Sequence, residues 1–457
     1  MAQADITLNI VNQNQDITDP WVTFIQSQNA ISTWETNGFS STTPNGPLLS
    51  AMAGSTTLVS GTSYQLSAIG NTITMGENWA GNIFFSNQAI TTMGSSGQSP
   101  VQSGTAPFPI AAFSQPTLYS TNPNGAVTSD TTRYNYIELG GGSTSSINPD
   151  ITYINYYSVP IQMTRASDGA TRGAPSSQAA LANLAPTLTA LSGNNSAVVV
   201  SDSQGTARVI SPDNGATSQV PYPDFTAFIT ASFDTGAKPI NLSNAYSGHG
   251  SETGPIATQT YTGSAVTWVG GTTLTMTGTA SVVDDYTITW TGSASDLSQS
   301  IYSAVLNNYQ VVYGPDSTTK TGNTGDNDVF SAITRDLLAG YNFGFINSNA
   351  TSSLGTIGDL TSEQWMTLSY NNAFGNAQTD NPYYNQWAAA FASTFTDVYT
   401  FPFNDYLSGF SPEMSIGTGD TLTVTLLGTV PEPSTVGLAI LGTIIIACAA
   451  KRKYRKA

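Results

Sequence analysis

Two stretches of this chain set carboxylates among aromatic rings. The first is Arg133-Tyr134-Asn135-Tyr136-Ile137-Glu138-Leu139, which passes through a Gly/Ser loop into Asp150-Ile151-Thr152-Tyr153-Ile154-Asn155-Tyr156-Tyr157-Ser158-Val159-Pro160-Ile161. The second is Tyr399-Thr400-Phe401-Pro402-Phe403-Asn404-Asp405-Tyr406. Rings of this kind stack on the apolar faces of sugars, and a carboxyl beside them can protonate a glycosidic oxygen or take a proton from water. Glu138 lies between Ile137 and Leu139 in a strand-like run, so its side chain faces away from theirs. On spacing alone, a solvent-facing strand position accounts for it more simply than a catalytic one.

Other chemistries are excluded by what is scarce. The single cysteine, Cys448, lies in an apolar run. That rules out disulfides, Cys-based zinc sites, iron–sulfur clusters and a cysteine nucleophile. The single histidine, His249, sits in the loop Tyr246-Ser247-Gly248-His249-Gly250 with no carboxylate in sight to orient it, as a Ser-His-Asp triad would need. Asp284-Asp285 and the pair Asp326/Asp328 lack the ligand spacing of a calcium loop and read as turn or cap residues. No metal and no organic cofactor is expected. Any chemistry falls to carboxylates.

The elements that must position them are mostly strands. The chain has 457 residues, enough for about two domains, and 39% hydrophobic residues, enough for a large core. Only 9% are charged, against roughly 25% in an average soluble domain. The net charge is -17, and five of the twelve basic residues lie in the last seven positions, so the body is more acidic still. Such a surface repels phosphate backbones, and nucleic acid is excluded as a partner.

Up to about residue 165, strand-like runs (Ile6–Val11, Trp21–Ile25, Tyr64–Ala68, Asn82–Phe85, Tyr134–Leu139) alternate with Gly, Asn and Pro turns, which predicts an all-β sandwich or barrel. Ser177–Leu191 reads as two short helices broken at Pro186, and a further helix begins near Asp224 and buries Phe225, Phe228 and Ile229. A strand is expected over Ala197–Val200, and residues 259–292 read as a three-stranded meander. Asp328 can cap a helix burying Val329, Phe330, Ile333 and Leu337 that ends at Gly340. Asn381 and Pro382 open a helix whose apolar face is Tyr384, Trp387, Ala388, Phe391 and Phe395, followed by strands Val398–Phe403 and Thr421–Leu427. The division is a β-domain over 1–165, an inserted mixed α/β domain over 166–355, the closing helix and strands over 356–428, and a tail over 430–457.

That tail reads Val430-Pro431-Glu432-Pro433-Ser434-Thr435, then an apolar run from Val436 to Ala450, then Lys451-Arg452-Lys453-Tyr454-Arg455-Lys456. The run is about fifteen residues, against the ~20 that span a bilayer comfortably, and Ser434 and Thr435 can extend it. The basic block should stay cytoplasmic. The order of Pro431, Glu432 and Pro433, apolar helix and basic end resembles the PEP-CTERM sorting signal of Gram-negative bacteria. The resemblance implies an exported protein, held transiently in the inner membrane by a single transmembrane helix. It further implies cutting by an exosortase-type membrane protease, and a place at the cell surface or in the extracellular matrix. Ala2-Gln3-Ala4 has the small-x-small form of a signal-peptidase site, which fits an export signal trimmed away or a misassigned start.

The aromatic segments resemble glycoside hydrolase family 64, the laminaripentaose-producing β-1,3-glucanases. Tyr134–Leu139 is similar to that family's Glu-bearing strand, Asp150–Pro160 to its Asn-x-Thr-x-Val-Asp segment, and Gly81–Ser86 to its Gly-Arg-Ile-Tyr-Phe-Ser strand. Arg208-Val209-Ile210-Ser211-Pro212 and Tyr399–Asp405 follow in the family's order. The resemblance implies a mainly β protein with an α/β part. A thaumatin-like β-sandwich or barrel would pack on a mixed α/β domain around a glucan groove, without the disulfides of plant thaumatins. It implies an inverting mechanism with Glu138 as acid, and Tyr136, Thr152, Tyr156, Tyr399, Phe403 and Asp405 at the sugar.

The base position falls on Asn155, an amide that takes no proton at neutral pH. Asp150 aligns with the family's Asn instead. On a straight strand it would stand about 16 Å from Asn155 and on the opposite face, a poor replacement. Three readings stay open: a glucan hydrolase with a degenerate base, a module that only binds glucan or exopolysaccharide, and a structural matrix protein.

Overall fold

Period-two alternation builds the first sheet. In Ile6–Asn12 the side chains of Ile6, Leu8 and Ile10 are buried while those between them are partly open, and in Thr421–Leu426 Leu422, Val424 and Leu426 repeat the pattern. The two strands pair in parallel, Leu8 opposite Leu422 and Ile10 opposite Val424. Ile161–Arg165 pairs antiparallel on the far side of Thr421–Leu426, so the last strand lies inside a seven-stranded sheet rather than at its edge.

The computed structural model describes residues 6–26, 52–54, 56–58, 62–76, 81–90, 131–141, 146–196, 198–212, 222–233, 238, 240–242, 245–247, 253–255, 259–261, 266–269, 273–281, 285–303, 309–313, 318–322, 329–374, 383–401 and 403–428. The expected sorting motif Pro431, Glu432 and Pro433 and the transmembrane helix after it lie outside the described residues. Among the described residues no helix is long and apolar enough to cross a membrane.

A second sheet carries the aromatic segments. Its six strands run in the order Ile416–Gly417, Ser146–Ile151, Tyr134–Gly141, Gly81–Ser86, Trp21–Gln26 and Ser63–Gln65, antiparallel throughout. One face joins the main core through Ile83, Phe85, Ile137, Leu139 and Ile151. Residues one step along each strand therefore point the other way. Further along the chain, Val266–Val269, Thr273–Ser281, Asp285–Gly292, Tyr309–Tyr313 and Thr318–Gly322 form a five-stranded antiparallel meander, which extends the three-stranded one expected.

Several helices differ from the sequence reading. Gln178–Leu191 is one continuous helix, not two. Pro186 lies on its exposed face, where the carbonyl the ring leaves unbonded can be hydrated, while Leu181, Leu184 and Leu188 hold the other face to the core. Val329–Phe343 runs through Gly340 and stops at Gly344, whose φ is +76°. Gly340 is there for packing, since a Cβ on it would stand 2.8 Å from the Trp365 ring.

The helix Gln386–Thr394 starts under Asn385, while Asn381 and Pro382 lie outside the described residues. Asn385 accepts from the Ala388 amide at 3.0 Å, and its own Nδ2 donates to Asn342 Oδ1 at 2.8 Å. That tertiary anchor chooses the cap. The expected strand Val398–Phe403 is reduced to one bridge between Thr152 and Tyr399. Asn404 Oδ1 accepts from the Thr400 and Phe401 amides and the Thr400 hydroxyl, which curls the chain into a turn.

Candidate functional site

Antiparallel register lines up a polar row across three adjacent strands. Asn82 stands opposite Glu138, and Glu138 stands opposite Asp150. Directly opposed residues share a face of the sheet, with Cβ atoms about 4.5–5.5 Å apart. Beside that row, Phe84 stands opposite Tyr136, their ring centroids 5.0 Å apart. Together with Thr152, Ile154 and Asn155, four of these residues (Asn82, Phe84, Tyr136 and Glu138) line a cavity of about 160 Å³. The lining combines aromatic rings, amides, a hydroxyl and one carboxyl.

A small aromatic core supports the wall. Phe84, Tyr134, Tyr136 and Tyr156 pack with Ile90, Val198 and Ile210, apart from the main core. Tyr156 is buried in this layer, 4.7 Å from Tyr134 by ring centroids, so it sits behind the cavity rather than on it. The strand Gly205–Ile210 backs this layer, and its Arg208 lies fully buried over the Tyr134 ring at 5.3 Å.

The straight-strand distance between Asp150 and Asn155 does not apply, because Ser146–Ile151 ends before the turn that holds Asn155. The Tyr153 amide donates to the Tyr399 carbonyl at 2.7 Å, and the Tyr399 amide donates to the Ile151 carbonyl at 2.9 Å. Trp387 Nε1 donates to the Tyr153 carbonyl at 3.0 Å, while the Tyr153 ring stacks on Phe391 and Phe395. The Ser211 amide donates to the Asn155 carbonyl at 3.0 Å. Held this way, Asn155 turns its Nδ2 to the Tyr136 hydroxyl at 3.3 Å.

Of the residues singled out in the sequence, Glu138, Asn155, Tyr136 and Thr152 come together at the cavity. Tyr399 braces the turn through its backbone, and Phe403 packs against the main core. The backbone of Asp405 lies in a short turn of 3-10 helix, Asn404–Tyr406, and its side chain is outside the described set. Sequence reasoning missed Asn82, Phe84 and Ile154 on the cavity, although the alternation in Gly81–Ser86 would have placed Asn82 and Phe84 on one face. It also set Asp150 aside, although Asp150 is Glu138's direct neighbour.

Burial raises the Glu138 carboxyl above the usual range, and the charge of Glu413 adds to it. Asp150 is raised well above its ordinary value, first by burial and then by the charges of Glu138 and Glu413. Burial, with Glu138 nearby, raises the Tyr136 phenol. A carboxyl raised in this way keeps its proton to higher pH than an exposed one, which suits donation to an oxygen in the cavity. Among the described residues no group of His, Cys, Asp or Glu is placed to hold a metal ion.

No protein-family model matches the chain, and no curated protein matches it in sequence. Solved structures do match in fold. One is a laminaripentaose-producing β-1,3-glucanase in complex with laminaritetraose, with a TM-score of 0.53 at 16% identity over 93% of this chain and 99% of that one. Another is a β-1,3-glucanase domain (GH64) from Clostridium beijerinckii, with a TM-score of 0.52 at 13% identity over 93% and 98%. The chain shares their fold, mainly β with several sheets and some helices.

Proposed function

We propose that the chain binds β-1,3-glucan at the cavity lined by Tyr136, Glu138, Thr152 and Asn155, and that it is a degenerate hydrolase of the inverting type. The observation that carries this is a partly buried Glu138, its carboxyl raised by burial, on an aromatic wall, in a fold shared with a glucanase solved with laminaritetraose. Glu138 takes the role of acid toward the leaving oxygen. Inverting hydrolysis also needs a base that activates water across the sugar. Asn155 occupies the corresponding place by the family resemblance, and an amide orients water without accepting its proton. This favours a protein that holds glucan and cleaves it slowly or not at all, so a matrix or carbohydrate-binding role is the second reading. The tail from Pro431 belongs to the same proposal as a sorting signal for export, anchoring and processing by an exosortase-type protease.

Purified protein is assayed for reducing-sugar release from laminarin and for pull-down on insoluble curdlan. Saturable curdlan binding with little or no release is the expected result. Vigorous release would place a working base elsewhere, and absence of both binding and release would overturn the sugar site.

A further inference from the structure

The row Asn82–Glu138–Asp150 contains more acceptors than donors. Asn82 Oδ1 and Asp150 Oδ1 are both buried with no hydrogen-bond partner among the described residues. They belong to the residues flanking Glu138 on either side in the register. A buried oxygen without a donor is costly, and on the Asp150 carboxyl a bound proton removes that cost by turning an acceptor into a donor. No hydrogen bond from a neighbouring described side chain reaches Asp150 Oδ1. The Asn155 amide is turned to the Tyr136 hydroxyl, and Glu413, exposed just ahead of Ile416–Gly417, adds negative charge. Arg172, a cation on that edge, is directed elsewhere: its Nε donates to the Glu413 carbonyl at 3.2 Å and its Nη1 lies 4.0 Å from Asp397.

Asp150 is not placed to act on a ligand itself. It is 8% exposed and does not line the cavity, whereas Glu138 does. We propose that Glu138 and Asp150 form a proton store at neutral pH, in which Asp150 holds the proton and Glu138 presents it to the cavity. Asp150 is thus a positioning residue that acts through Glu138. The Asp150 O–H passes its proton to the Glu138 carboxylate, and Glu138 gives it to an oxygen in the cavity, becoming a carboxylate again. A hydronium ion or buffer acid from solvent then returns a proton to the Asp150 carboxylate. What the proton is used for rests on the sugar-site reading; that it is held there does not.

The test is a carboxyl titration of the full chain carrying ¹³C-labelled Asp and Glu, followed by NMR in wild type, Asp150→Asn and Glu138→Gln. One aspartate signal, absent from Asp150→Asn, is expected to stay in its protonated position at neutral pH. The same signal should titrate at lower pH in Glu138→Gln, because a like charge has been removed. If the signal assigned to Asp150 titrates with the exposed aspartates in both proteins, the store does not exist.

Stability gives a second readout. A carboxyl raised in the folded state binds its proton more tightly there than in the unfolded chain. Wild type should therefore lose stability as pH rises above the unfolded value of about 3.9 and on through the folded midpoint. Asp150→Asn should lack that loss, so it should be the more resistant to urea at neutral pH, with the gain gone in acid. A gain that does not depend on pH would overturn the proposal. Glucan enters neither measurement, so failure of the sugar site and failure of the proton store are separate results.

Discussion

Asn155 is where binding and hydrolysis part. Its Nδ2 is committed to the Tyr136 hydroxyl, and its backbone is pinned by Ser211, so the side chain is fixed rather than free to adapt. Replacing it with Asp changes one nitrogen for an oxygen and introduces a group that can take a proton from water. General-base assistance is typically worth about 10²–10⁴-fold in rate. Asn155→Asp should therefore raise laminarin hydrolysis at least about tenfold, the low end of that range being reduced by imperfect geometry. The product should appear as the α-anomer, as inversion requires. Adding Glu138→Gln should abolish the gain. An Asp variant that folds and binds curdlan but gains nothing, by anomer-resolved NMR of the products, would rule out Asn155 as the vacant base.

At the scale of elements, the helix Gln386–Thr394 couples core and site. Trp387 is 1% exposed, packs on Phe391 with ring centroids 5.2 Å apart, and holds the Tyr153 carbonyl that starts the Asn155 turn. Trp387→Ala should cost about 3–5 kcal/mol in urea unfolding, as large aromatic truncations in cores do. It should also weaken curdlan binding under conditions where the protein is still folded. Gly340→Ala should cost about 1–3 kcal/mol by overpacking against Trp365, although alanine is the better helix former. A stabilised variant in the same urea assay would mean that Trp365 moves aside freely.

These two residues also mark how far the sequence could be read. The stripe of Trp387, Ala388 and Phe391 was legible because period 3.6 survives in the sequence. Gly340 read as a stop because nothing local announces that a tryptophan from another helix will lie on it. The alternation Ile137-Glu138-Leu139 put Glu138 on the right face. Its pairing with Asp150 was not legible, since register across the Gly/Ser loop depends on loop length and on partners outside both strands. Asn385 displaced Asn381 as the expected cap for the same reason: its second hydrogen bond goes to Asn342, far away in the chain.

At the scale of the whole molecule, the C-terminal strand sets the limit of truncation. Leu422, Val424 and Leu426 are buried between the strands Ile6–Asn12 and Ile161–Arg165. A chain ending at Val430 should melt as the full chain does, because the sheet is complete by Leu426. A chain ending at Asp420 should not yield a cooperatively folded protein at all. Thermal unfolding by circular dichroism distinguishes the two. An early melt for the Val430 chain would show that the tail is part of the fold and would remove support for its role as a sorting signal.

The parallel pairing of Ile6–Asn12 with Thr421–Leu426 bears on when the protein can fold, as well as on how stable it is. The seven-stranded sheet cannot close until Thr421–Leu426 has left the ribosome, so Ile6–Asn12 must wait unpaired on that side while the roughly four hundred residues between them are made. Contacts this distant in sequence carry a large loop-closure cost and slow folding. The nascent chain is thereby kept open until that strand emerges, with strand edges exposed to whatever chaperone or translocation machinery meets it first.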